Sequence, residues 1–310
     1  MNSRPVRVLY LNHAAKPSGG EIALWRMLKA IDRDRVQPTI VFGEEGPAAE
    51  SMRQIGVQTH ILPLATKVRE VRKDKLGLKS FLHFGRLASL GAYAAKLAIF
   101  ARRHRIQVIH TNTIKAHLYG ALVGRLSGLP VVWHLRDYVS ESYFPARVVR
   151  AIRLMAQHLP RHVVAVSKSV LDQLRLRDAE KYSTVVLDGL TDQEFTSFTK
   201  SQRASATTGR PRIGIVGRLT PWKGQHVFLD AAARVTAAGH EAEFFIIGSA
   251  LFGEDAYEES LRKQAKELGI AERVKFVGFV QNVAGELSKL DYMVHASTSG
   301  EPFGQVILEG

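Results

Sequence analysis

Short β-branched runs alternate with longer amphipathic stretches along this chain. Residues 6–11, 39–42, 57–62, 107–110, 131–134, 162–166 and 184–187 have strand character. Helical patterning covers 21–31, 81–105, 115–126, 146–159 and 168–176. Such alternation predicts parallel βαβ units with helices on both faces of a sheet. A polar stretch poor in large apolar side chains, SFTKSQRASATTGR, occupies 197–210 and has a linker's composition. Alternation then resumes, with strands expected at 212–217, 243–248, 274–277 and 291–296. Helices are expected at 225–238, 255–268, 283–289 and 305–309. The pattern therefore predicts an α/β protein of two lobes, 1–196 and 211–310, joined by the 197–210 linker. A chain of 310 residues is long enough for two such domains.

Composition narrows the chemistry. With no cysteine, the chain excludes a disulfide scaffold, thiolate-bound zinc, iron–sulfur clusters and a cysteine nucleophile. Residues 87–101 form the longest weakly charged apolar stretch. They include Lys96 and fall short of the roughly 18–20 residues a membrane span needs, so the expectation is a cytoplasmic protein. The net charge of +14 is unevenly spread. Residues 1–200 hold 31 Lys and Arg against 16 Asp and Glu, whereas 201–310 hold 12 against 13. Segment 66–105 alone carries 11 basic and 2 acidic residues. A one-sided positive field suits an anionic partner. Leu76, Leu78, Phe81, Leu82 and Phe84 lie beside Lys73, Lys75, Lys79 and Arg86, so 66–105 is a candidate contact for an anionic membrane surface, peripheral on its inner face.

Four polar clusters follow predicted strands, where open α/β sheets bind ligands. Gly19 and Gly20 precede Glu21 at a helix start, where free N–H groups suit an anion. Arg218 and Lys223 converge on the start of the next helix in the second lobe; together they would neutralise a diphosphate. Glu301 and Glu309 lie eight positions apart in Glu301-Pro302-Phe303-Gly304-Gln305-Val306-Ile307-Leu308-Glu309. Carboxylates there can accept hydrogen bonds from vicinal hydroxyls of two sugar rings. His134 ends a first-lobe strand.

Together these residues resemble the retaining glycosyltransferases of family 4, with the GT-B fold of two facing Rossmann-like lobes. The matching elements include Gly19-Gly20-Glu21, His110-Thr111-Asn112, His134, Gly217-Arg218 with Lys223-Gly224, and Glu301-Pro302-Phe303-Gly304 through Glu309. The resemblance implies sugar transfer from a nucleotide-diphosphate-sugar, as co-substrate, to a saccharide or lipid-linked acceptor. It implies that Arg218 and Lys223 bind the diphosphate, that Glu301, Phe303 and Gly304 hold the transferred sugar, and that Glu309 binds the ribose. Gly19 and Gly20 would line the cleft and His134 would assist beside the reacting sugar. No metal or further cofactor is implied. Two departures stand out. The Asn-Gly-x-Asp usual in the family is Asp188-Gly189-Leu190-Thr191 here, and family members continue past the second Glu, which implies a truncated chain with an incomplete second lobe. The alternatives are an inactive nucleotide-sugar-binding remnant and a basic nucleic-acid-binding protein, the latter without a recognition motif.

Overall fold

The computed structural model describes residues 4–64, 84–200, 209–250 and 253–310. The chain divides into two compact units, Met1–Gly189 and Leu190–Gly310.

In the first unit β1 (Val6–Asn12), α1 (Gly19–Ala30), β2 (Val36–Phe42), α2 (Pro47–Gln54) and β3 (Gln58–Ile61) are followed by α3 (Phe84–Arg103) and β4 (Val108–Thr111). Next come α4 (Ile114–Ser127), β5 (Val131–Leu135), α5 (Ala146–His158), β6 (His162–Ala165), α6 (Lys168–Gln173), α7 (Ala179–Tyr182) and β7 (Ser183–Val185). The sheet runs β3-β2-β1-β4-β5-β6-β7. Every neighbouring pair is parallel. Its central strands are apolar on both faces, as a sheet covered by helices requires: Leu9, Leu11, Ile40, Ile109 and Trp133 are fully buried. Helix ends follow side-chain capping. Thr113 and Ser167 accept hydrogen bonds from the Ala116 and Val170 amides at the starts of α4 and α6.

The second unit opens with α8 (Asp192–Lys200) and β8 (Arg212–Val216). A 3₁₀ turn (Pro221–Lys223), α9 (Gln225–Ala237), β9 (Glu243–Ile247) and α10 (Asp255–Glu267) follow. It ends with β10 (Val274–Gly278), α11 (Val283–Leu287), β11 (Tyr292–Val294) and α12 (Gln305–Glu309). Its parallel sheet runs β10-β9-β8-β11 around a core of Phe228, Leu229, Phe244, Ile246 and Leu261.

The parallel α/β architecture is therefore as expected, with three local differences. The chain divides after Gly189, and residues 197–200, expected to begin a linker, complete α8; residues 201–208 lie outside the described residues. Helices α2 and α7 were not expected from the pattern. The expected helix 81–105 ends at Arg103 and is described from Phe84; residues 81–83 lie outside the described residues. The apolar and basic residues 73–82 of the candidate membrane segment lie outside the described residues.

Both sheets place their first and fourth strands side by side, β1 with β4 and β8 with β11. The chain leaves the first strand in one direction and returns on its other flank. Such a reversal marks the switch point, beyond the strands' carboxyl ends, at which doubly wound sheets bind ligands.

Candidate active site

Beyond β8, the chain is folded tightly onto the segment after β11. Gly224 has φ +76°, and a Cβ there would lie 1.8 Å from the Ala296 carbonyl oxygen. Only glycine fits that contact. The Thr298 amide donates to the Trp222 carbonyl at 2.8 Å, completing the junction. Lys223 is thereby held against Glu301: Nζ lies 2.9 Å from Oε1 and 2.8 Å from Oε2. The two side chains are 16% and 17% exposed. Ser297 Oγ donates to Glu301 Oε2 at 2.9 Å, and His295 Nε2 lies 3.4 Å from the same oxygen. The Lys223 ammonium also sits 4.5 Å from the Trp222 ring centroid, over its face. Arg218 follows Gly217 at the end of β8 and is half-buried. Its carbonyl accepts a 2.9 Å hydrogen bond from Gln225 Nε2, while the Gln225 Oε1 atom is buried without a partner. Phe303 and Gly304 form the turn before α12, Gly304 at φ +82°, and Glu309 is the last residue of that helix.

The sequence-predicted cation and carboxylate, 78 positions apart, are thus in direct contact at the β8/β11 switch point. His295, Ser297 and Gln225 were not singled out from sequence. The available signal was their position: each lies within a few residues of a strand end or of Lys223.

The first unit gathers a buried polar cluster at the β1/β4 switch point. Asn12 ends β1, fully buried, and donates to Glu21 Oε1 at 2.9 Å, while Ser18 Oγ donates to the other carboxylate oxygen. Burial raises the Glu21 carboxyl above its ordinary range, against these two hydrogen bonds. Gly19 and Gly20 form the first turn of α1. A Cβ at Gly19 would meet nothing within 4 Å, and one at Gly20 only Arg136 Cδ at 3.9 Å. No contact with a described residue demands either glycine.

His134, on β5, is 3% exposed, and its Nε2 is buried with no partner among the described residues. Its Nδ1 lies 3.2 Å from His110 Nε2. Burial and the nearby Arg136 charge push His110 down to about 3 and His134 further in the same direction. His117, stacked on Trp133 and hydrogen-bonded to Thr111 Oγ1 at 2.7 Å, is pushed by burial to about 3 against the pull of Asp137. These imidazoles are neutral at physiological pH. Arg136 is buried beside them and ion-paired to Asp188, with side-chain exposures of 6% and 8%. The Asp188-Gly189 departure from the family pattern therefore supplies a carboxylate to a buried guanidinium.

A concavity of about 410 Å³, lined by Arg7, Thr39, Gln58 and residues 103–105, lies at the opposite end of the first sheet, where β1 and β3 begin. It contains none of the predicted site residues. Among the described residues no group of three or more His, Asp or Glu is placed to hold a metal ion. None of the described helices is long and apolar enough to cross a membrane.

Two parallel-sheet units, each with polar and charged groups at its switch point, define a Rossmann-like α/β ligand-binding protein. Residues 18–188 match the family described as "Glycosyl transferase 4-like domain", and residues 197–310 match "Glycosyl transferases group 1". The chain belongs to this glycosyltransferase family, and its fold is GT-B-like. It is 26% identical over 312 residues to the 2-deoxystreptamine N-acetyl-D-glucosaminyltransferase of Streptomyces fradiae, covering 93% of this chain and 71% of that protein. It is 32% identical over 99 residues to the lipopolysaccharide core biosynthesis glycosyltransferase LpsE of Rhizobium meliloti, covering 32% of this chain and 26% of LpsE. Among solved structures, Anabaena HepE in complex with UDP and glucose is 28% identical with a TM-score of 0.79. That match covers 98% of this chain and 77% of HepE.

Proposed function

We propose that this enzyme transfers a sugar from a nucleotide-diphosphate-sugar to a saccharide or lipid-linked acceptor, with retention of anomeric configuration and without a metal. The observation that carries the reading is the Lys223–Glu301 contact at the β8/β11 switch point, in a chain similar to a structure that holds UDP and glucose. Arg218 and Lys223 bind the diphosphate. As the sugar–phosphate bond breaks, positive charge grows on the sugar ring and negative charge on the departing phosphate. Fixed cations aimed at that phosphate stabilise the charge as it develops, which supplies the main catalytic term.

Glu301 then exchanges Lys223 for hydroxyls of the transferred sugar, with the Phe303–Gly304 backbone alongside, and Glu309 takes the ribose hydroxyls. Gly19 and Gly20 leave room near the phosphates, and His134 donates a hydrogen bond beside the reacting sugar. The similarity to LpsE supports a saccharide or lipid-linked acceptor. The basic residues of 66–105 are the segment we assign to an anionic membrane surface; vesicle binding insensitive to anionic lipid would oppose that assignment.

The test is a thermal-shift panel of UDP-, GDP- and ADP-sugars on the wild type, Lys223→Ala and Glu309→Ala. One nucleotide class should stabilise the wild type and lose its effect in both variants. Unchanged affinity for every sugar nucleotide after truncating Arg218, Lys223, Glu301 and Glu309 together would end the proposal. Binding without transfer would favour an inactive remnant. The anomeric coupling constant of the product, read by NMR, decides retention.

A further inference from the structure

We infer that Arg136 is a positioning residue: its guanidinium fixes the His134 ring as the tautomer protonated at Nε2, so that this N–H is the group offered to substrate. The inference rests on the proposed sugar transfer for its meaning, and on geometry for its content.

Four chain segments meet at Arg136. Its Nε donates to Asn112 Oδ1 at 3.0 Å, beyond β4. Its Nη1 is ion-paired to Asp188, after β7. Its Nη2 faces His134 Nδ1 at 3.5 Å. Asn112, in turn, donates through Nδ2 to the Gly20 carbonyl at 3.2 Å, at the start of α1. The guanidinium is therefore anchored on two sides and is not free to turn away from the imidazole.

An arginine nitrogen can only donate. A hydrogen on His134 Nδ1 would point toward that donor and toward its positive charge. Two donors face to face in a buried site leave both unsatisfied, which disfavours that tautomer. A lone pair on Nδ1 accepts from Arg136 instead, and it accepts from His110 Nε2, 3.2 Å away, when that nitrogen carries the His110 hydrogen. One neutral imidazole carries one hydrogen, so it must sit on Nε2. That atom is buried and has no partner among the described residues. Buried donors without partners are rare and need an explanation. A hydroxyl or ring oxygen of a bound sugar supplies one.

His134 on this account is a hydrogen-bond donor and not a proton acceptor. Neutrality follows from burial and from the same Arg136 charge.

The test is long-range ¹H–¹⁵N NMR on the ¹⁵N-histidine-labelled chain, recorded without any sugar nucleotide. His134 is assigned by the signal lost in His134→Gln. The wild type should show a protonated Nε2 and a bare Nδ1; a protonated Nδ1 would overturn the inference outright. Arg136→Met/Asp188→Asn, which removes both charges together, should shift the tautomer ratio toward Nδ1–H by at least tenfold. A ratio unchanged within twofold would also overturn it. His110→Phe keeps Arg136 and removes the other donor. It should leave Nε2 protonated, and a switch there would assign the effect to His110 and refute Arg136's role. The wild-type and His110→Phe spectra decide the matter even if the double variant does not fold. Because the readout involves no turnover, failure of the sugar-transfer proposal would leave it intact, and the reverse holds too.

Discussion

Gly224 gives the most direct test of how the second-unit site is built. Alanine there meets two penalties. The left-handed backbone, φ +76°, costs a residue with a Cβ about 1–2 kcal/mol. The new Cβ would also lie 1.8 Å from the Ala296 carbonyl oxygen, so the segment after β11 must move by more than about 1 Å, an overpacking cost of about 1–3 kcal/mol. Gly239 provides the control. Its φ is +83°, and a Cβ there would meet nothing within 4 Å. Gly239→Ala should therefore destabilise the second unit by about 1–2 kcal/mol, and Gly224→Ala by about 2–5 kcal/mol. The shift at Gly224 also parts Lys223 from Glu301, so binding of the sugar nucleotide that the panel selects should weaken in Gly224→Ala and not in Gly239→Ala. Urea denaturation followed by circular dichroism, with calorimetric titration of that sugar nucleotide, gives both quantities. Equal stability losses at the two positions, with equal affinities, would refute the claim that the close approach holds the site together.

Lys223→Met and Glu301→Gln should each weaken binding of the sugar nucleotide that the panel selects about 10- to 150-fold, as expected for loss of one charged hydrogen bond, in a calorimetric titration; retained affinity would remove both from the donor site. Gly19→Ala should leave the urea midpoint unchanged or slightly raised, since no protein atom lies near its Cβ. It should nonetheless weaken binding of the same sugar nucleotide at least threefold; unaltered binding would show that the glycine serves no ligand. The buried histidines give the first unit a pH-dependent stability. Their folded values are depressed, so the unfolded chain binds protons first, and stability present above about 6.5 is lost as pH falls. At pH 5, about 1.5 units below the unfolded value, His110 and His117 each contribute a loss of about 2 kcal/mol. The raised Glu21 works in the opposite sense nearer its own range. A urea midpoint that stays flat between pH 7 and pH 5 would show that these imidazoles are not buried neutral.

Much of this fold is legible because strand identity is carried by local pattern. The runs around Leu9, Ile40, Ile109 and Trp133 are β-branched and apolar whatever lies elsewhere in the chain. Helix α2 was missed because it buries only Ala48, Ala49 and Met52 within eight residues, too little apolar surface for a periodic signal. Helix α8 reads as polar, with Phe195 exposed, and was taken in part for linker. The site divides in the same way. Lys223 and Glu301 could be named from the company each keeps in sequence, but their contact spans 78 positions and depends on the strand order of the second sheet. Arg136 and Asp188, 52 positions apart, carry no local mark that they are paired. A buried ion pair follows from which strand ends become neighbours, and that information is not local.

The lysine beside β8 already has a counter-ion of its own in Glu301. Any anion entering there competes with a carboxylate held less than 3 Å away, so a single negative charge does little more than replace one it displaces. A dianion retains an excess of attraction after the exchange and also frees the carboxylate for hydroxyl groups. An internal pair of this kind sets a charge threshold, favouring ligands that bring a second negative charge and a polyol together over monoanions.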